Sequence, residues 1–180
     1  SWFKTTPGQS SNFEKSVFQV LQDRTENSEG VLSVRGGSLK IAIKEPNETL
    51  LVVNKEALWL ETKMGKDFPA SVQKLKRKGL KSGASVWNVL TGRESISTHF
   101  IVVRKQNGKS VEFDLKPRNP KESDIASIQF SFQEANLKKM AYTDELENVV
   151  TYNFKNWKKA KFTAKDFDYK PPKNSEVTEL

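Results

Sequence analysis

The stretch from Asp124 to Pro172 constrains this chain most. Ile128, Phe130 and Phe132 alternate with Gln129, Ser131 and Gln133. Met140 and Tyr142 follow, the chain turns once on Asp144-Glu145-Leu146-Glu147-Asn148, and Val150, Tyr152 and Phe154 resume the alternation. Successive side chains of a strand point to opposite faces, so the pattern demands a sheet with one aromatic, apolar face and one wet face. Such a face has to be covered, either by the rest of the chain or by a ligand.

The same alternation recurs upstream. Leu39, Ile41 and Ile43 alternate with Lys40, Ala42 and Lys44, between Gly36-Gly37, which suggests a bulge, and a turn at Pro46-Asn47. Thr49 to Val53 and Ala57 to Thr62 read as a hairpin through Asn54-Lys55-Glu56. Strand resumes at Ser97 to Val103, and Asn107-Gly108 marks a hairpin turn before Val111, Phe113 and Leu115. Phe13 to Gln22 fits either a helix capped by Asn12 or a strand, and Asp23 to Glu29 reads as a polar turn.

One segment has helical spacing instead. Phe68, Val72 and Leu75 follow Asp67 and Pro69 at intervals that share a helix face, with Gly79 as a stop. Val86, Trp87, Val89 and Leu90 form the apolar side of a second helix, about Ala84 to Leu90, ended by Gly92. The expected fold is therefore mainly β (α+β), with about nine or ten antiparallel strands. A sandwich, a barrel, or an incomplete β-barrel (half-barrel) plugged by the helical insertion 67–92 all satisfy the pattern. Residues 1–12, rich in Ser, Thr, Pro and Gly, read as a flexible lead, and 13–180 as a single domain.

Composition narrows the chemistry. No run approaches the ~18 apolar residues of a membrane-spanning helix. There are 0 cysteines, so disulfide and thiolate chemistry drop out, and the 1 histidine, His99, has no companions for a metal site or a catalytic triad. Glu45, Asp114, Asp124 and Asp144 sit at strand ends and turns, where carboxylates serve solubility and turn formation. The net charge of +8 is spread along the chain. Lys74, Lys76, Arg77, Lys78 and Lys81 read as a solvated helix end. Trp157-Lys158-Lys159-Ala160-Lys161-Phe162 interleaves bases and aromatics, but no nucleic-acid-binding signature accompanies it. The expectation is no enzyme, no metal, no cofactor and no nucleic-acid partner.

A resemblance sharpens this reading. Met140-Ala141-Tyr142-Thr143-Asp144-Glu145-Leu146-Glu147-Asn148-Val149-Val150-Thr151-Tyr152-Asn153-Phe154, then Phe167-x-Tyr169-x-Pro171-Pro172 and Val177, resembles the C-terminal signature of the LolA family of periplasmic lipoprotein carriers. Phe13, Val17 and Gln19, then Gly37-Ser38-Leu39 with Pro46-Asn47, then Leu58-Trp59-Leu60, resemble its earlier motifs in the same order. The resemblance implies an incomplete antiparallel barrel with a helical lid, in the periplasm, as a mature form and a monomer. It implies that Leu39, Ile41, Ile43, Trp59, Phe113, Leu115, Ile128, Phe130, Met140, Tyr142 and Tyr152 line a lipid-binding cavity. Phe68, Val72, Leu75, Val86, Trp87 and Leu90 would form the lid. The implied partners are acylated lipoproteins, an inner-membrane lipoprotein-releasing ABC transporter (LolCDE-like) and an outer-membrane acceptor (LolB-like). Three positions depart from the family pattern: Glu45 stands at the latch position usually held by arginine, Thr49 at an aromatic position, and Glu147 at a glycine position, where Asn148 is expected to take the left-handed conformation. An envelope sensor of lipid or lipoprotein, a LolB-like receptor on the same scaffold, and a lipid-acting enzyme are the alternatives.

Overall fold

The computed structural model describes residues 5–65, 67–76, 89 and 95–179. The strands are β1 (Gln9–Gln19), β2 (Arg24–Arg35), β3 (Ser38–Glu45), β4 (Glu48–Val53), β5 (Ala57–Lys63), β6 (Ser71–Lys76), β7 (Phe100–Asn107), β8 (Ser110–Pro117), β9 (Ile125–Gln133), β10 (Asn136–Asp144), β11 (Val149–Lys159) and β12 (Glu176–Glu179). Among the described residues no helix is long and apolar enough to cross a membrane, which says nothing of β-barrels that cross with strands. The chain divides into two compact units, one of Ser1–Asn12, Ser28–Lys81 and Lys158–Leu180, the other of Phe13–Asn27 and Ser82–Trp157.

In the first unit the strand order is β12-β6-β5-β4-β3-β2, an open sheet. All neighbours are antiparallel except β12, which runs parallel to β6. Gly36 and Gly37 make the hairpin turn between β2 and β3, closed by the pair Arg35–Ser38, with φ of 51° and 81°. Two left-handed residues in succession match the twist of the strands, and glycine adopts that conformation without strain. The expected bulge is thus a turn. Gly8 is required for another reason: a Cβ there would lie 2.2 Å from the Ala160 carbonyl oxygen.

In the second unit the order is β1-β11-β10-β9-β8-β7, again open. The block from Asp124 onward turns twice rather than once. The turn missed in sequence is Glu134-Ala135, both at positive φ, closed by Gln133–Asn136. The second turn hangs on one carboxylate. Asp144 Oδ1 accepts from the backbone N–H groups of Leu146 and Asn148, and Asp144 Oδ2 accepts from Asn148 Nδ2. Glu147 itself takes the left-handed conformation, at φ 66°. Asn148 is not the residue that compensates; its side chain instead accepts from the Val20 N–H.

The largest correction falls on the predicted insertion. Ser71–Lys76, read as a helix around Val72 and Leu75, is strand β6, paired with β5 on one side and β12 on the other. The helical spacing arose because Lys74 was counted as polar. Its stem crosses Trp59, with Nζ 4.9 Å from the ring centroid, so Val72 and Lys74 both serve one sheet face. Phe68 is exposed, outside any helix. Val86, Trp87 and Leu90 lie outside the described residues; Val89 between them is helical and buried. Asp23–Glu29 is not a turn either. The turn is confined to a 3-10 stretch at Val20–Gln22, and β2 begins at Arg24 with polar residues on both faces, which hides its period. Strand β1 starts at Gln9, within the lead segment. His99 closes a single helical turn, Ile96–His99, so its strand starts at Phe100 rather than at Ser97.

Two expectations follow from these contacts. Phe167, 1% exposed and held from Asn54 Nδ2 through its own carbonyl, anchors the segment after β11 to the first unit. Phe167→Ala should cost about 3–5 kcal/mol in denaturant unfolding, while Leu21→Ala, at a site 86% exposed, should stay within about 0.5 kcal/mol of the parent. Glu147→Gly should raise stability by about 1 kcal/mol, because it relieves a left-handed backbone at a residue with a Cβ; an unchanged or lower midpoint would contradict that account.

Candidate functional site

Cross-strand partners share a face, so the registers show which predicted side chains meet. In the second unit one row runs Val102–Leu115–Ile128–Tyr142–Val150, and the next runs Arg104–Phe113–Phe130–Met140–Tyr152. All seven residues predicted from β8 to β11 therefore stand on one face: Phe113, Leu115, Ile128, Phe130, Met140, Tyr142 and Tyr152. Phe13 of β1 joins them, its ring 5.3 Å from Tyr152 and 6.1 Å from Phe154. Leu115, Ile128, Phe130, Met140 and Tyr152 are buried, and Phe113 and Tyr142 half-buried. The opposite face is wet: its rows read Val103–Asp114–Gln129–Ala141–Thr151 and Lys105–Glu112–Ser131–Lys139–Asn153. There Asp114 accepts from Lys105 at 2.8 Å and from Gln129 at 3.0 Å.

In the first unit Leu39, Ile41 and Ile43 also share a face. Their rows are Val34–Leu39–Val53–Leu58–Leu75, Leu32–Ile41–Leu51–Leu60–Gln73 and Gly30–Ile43–Thr49–Thr62–Ser71. The face grades from aliphatic to hydroxyl-bearing across three rows. Trp59 is not part of it. It pairs with Val52 and Lys74 and so points to the opposite face, where the Tyr169 ring lies 5.2 Å away. Tyr169 donates to Glu61 Oε2 at 2.6 Å, and Lys63 lies 3.5 Å from Glu61 Oε1, so this buried carboxylate is satisfied. Burial and the bond to Glu61 raise the Tyr169 phenol above the ordinary tyrosine range. Leu75 shares the Leu39 face and Val72 the Trp59 face, so these two predicted lid residues do not act together.

Glu45 is exposed at the end of β3, opposite Glu29 of β2. Two carboxylates thus face each other at this strand end. The other acidic candidates do not form a dyad: Asp114 serves the wet face, Asp144 its own turn. Burial, and then Asp144 and Asp124, push the Tyr142 phenol up to about 12. Burial likewise holds Tyr152 above the ordinary range. Among the described residues no cluster of His, Asp or Glu could hold a metal ion. The aromatics of the Trp157–Phe162 segment are used in packing: Trp157 Nε1 donates to the Leu137 carbonyl at 2.7 Å, and Phe162 meets Phe167 edge-on.

One residue of the apolar face was not anticipated. Lys15 follows Phe13 by two along β1, and its ammonium lies 5.7 Å from the Tyr152 ring centroid. Strand alternation alone would have put it there.

Comparison with known proteins agrees with the sequence motifs. The model of the family described as "Outer membrane lipoprotein carrier protein LolA" matches residues 4–170. The outer-membrane lipoprotein carrier proteins of Legionella pneumophila strains Corby and Paris are each 29% identical over 168 residues, covering 92% of this chain and 80% of the relative. Among solved structures, the LolA superfamily protein NE2245 from Nitrosomonas europaea is similar over 91% of this chain and 90% of that chain, at 8% identity and a TM-score of 0.46. This chain belongs to the LolA family of outer membrane lipoprotein carrier proteins.

Proposed function

We propose that this protein carries acylated lipoproteins across the periplasm, sheltering their acyl chains against its apolar sheet faces. The observation that carries the reading is the face of β8 to β11, whose rows from Val102 to Val150 and from Arg104 to Tyr152 are almost wholly aliphatic or aromatic. Membership of the family supports it.

The energetics decide how such a carrier works. Each buried methylene contributes about 0.8 kcal/mol, so three chains of roughly sixteen carbons amount to about 40 kcal/mol relative to water. Non-covalent affinity saturates near about 20 kcal/mol, because association and ordering cost free energy. Even an imperfect shelter holds cargo too tightly to release it into water. Cargo passes directly between apolar sites, from a LolCDE-like transporter in the inner membrane to a LolB-like acceptor at the outer membrane. No catalytic group is needed. In this reading the segment 84–90, with Val86, Trp87 and Leu90, gives way to lipid as the lid.

The test is displacement of a neutral apolar dye by a triacylated peptide. Phe113→Asp should weaken binding at least about tenfold, since it places a charge where an acyl chain lies, whereas Thr151→Asp on the wet face should change it less than about twofold. Equal effects of the two would remove the face from the site. A second comparison addresses the latch. Glu45→Ala should leave affinity nearly unchanged, because Glu45 is exposed and stands opposite another carboxylate, Glu29, and Trp87→Ala should lower it clearly. The reverse order would mean that Glu45 fastens the lid.

A further inference from the structure

The apolar face of the second unit carries three hydrogen-bond donors that it does not use. Lys15 Nζ, the Tyr142 hydroxyl and the Tyr152 hydroxyl make no hydrogen bond to any described residue, and Lys15 makes no ion pair. A lysine directed at an apolar sheet face normally finds a carboxylate, because an unpaired charge out of water is costly. The carboxylate that acts on it is Glu26 of β2, which is itself paired with Arg24 at 3.3 Å. Two cations thus share one anion, and one positive charge is left over. The face of the Tyr152 ring gives that charge only partial compensation. Burial lowers the pKa of Lys15 and Glu26 raises it again, as expected of a cation that is partly desolvated without a close counter-ion.

We propose that Lys15, with Tyr152 against it, is the subsite for the head of an amphiphile that bears one anionic oxygen group, carboxylate or phosphate, while its chain lies on the face of β8 to β11. The Lys15 ammonium and the Tyr152 hydroxyl can both donate, and an anionic oxygen head offers acceptors only, so the chemistries match. This rests on the reading of that face as an acyl-chain site and adds a polarity to it: the ligand enters the site with a fixed head and tail.

The experiment uses displacement of a neutral apolar dye from the full chain. Hexadecanoate and hexadecyl phosphate are compared with methyl hexadecanoate, with acetate and inorganic phosphate as heads that lack a chain. At least one long-chain anion should bind about tenfold tighter than the methyl ester, the size of effect expected of a charge-assisted hydrogen bond. The short anions should not compete, which distinguishes an amphiphile head from a free ion. Which long-chain anion binds tighter assigns the head as carboxylate or phosphate. Lys15→Met should erase the preference, and Lys15→Arg should keep it. A methyl ester that binds as well as both long-chain anions, or a preference that survives Lys15→Met, overturns the subsite and leaves the acyl-chain reading standing. Failure of the methyl ester and of both long-chain anions to displace the dye overturns both.

Discussion

Register is the constraint on which the rest depends. In each unit one face is dominated by apolar rows, and a strand that slips by one residue turns every side chain to the wrong side. In the first unit a slip of β3 would replace Leu39, 1% exposed, by Lys40 between Val34 and Val53. In the second, a slip of β9 would set Gln129 and Ser131 among Phe113, Met140 and Tyr142. The tight turns at Gly36-Gly37 and Glu134-Ala135 and the Asp144-centred loop fix those registers from the ends, so local turn chemistry and face polarity specify the same pairing.

The two units treat their second face differently. In the second unit it is left to water and laced with polar pairs such as Lys105–Asp114. In the first it carries Val52, Ala57, Trp59 and Val72, and the chain after β11 returns to cover it. A 3-10 turn at Ala164–Phe167, closed by reciprocal bonds between Thr163 and Asp166, inserts Phe167. Tyr169 then covers Trp59 and bonds Glu61. Lys74 and Lys76 both reach Glu179, which fastens β12 along β6 and lowers the Glu179 carboxyl to about 2.

The sequence was most legible where one face is wet. The rows from β8 to β11 could be named in advance because Gln129, Ser131 and Gln133 mark the period against Ile128, Phe130 and Phe132. It was least legible where both faces are occupied. The family resemblance set Trp59 with Leu39 and Ile41, yet the register places it on the reverse side. Lys74 looked like a helix-surface residue because its hydrocarbon stem is invisible to a polarity count. The polar start of β2 concealed a strand for the opposite reason: Glu26 and Ser28 point to the face that is apolar farther along, at Leu32 and Val34. Lys15 belongs to the same class, a charge whose direction is readable but whose purpose is not.

The covering of the first sheet has a consequence for how the chain is made. Lys74 and Glu179 are 105 positions apart, yet they close the same edge. Contacts so distant in sequence form late, because the long intervening loop must first be drawn together. A polypeptide that emerges amino end first cannot seal Trp59 and Val72 until residues 163–179 have followed. Until then Trp59 and Val72 stay uncovered, so the amino-terminal part of the chain cannot finish folding before its end is made.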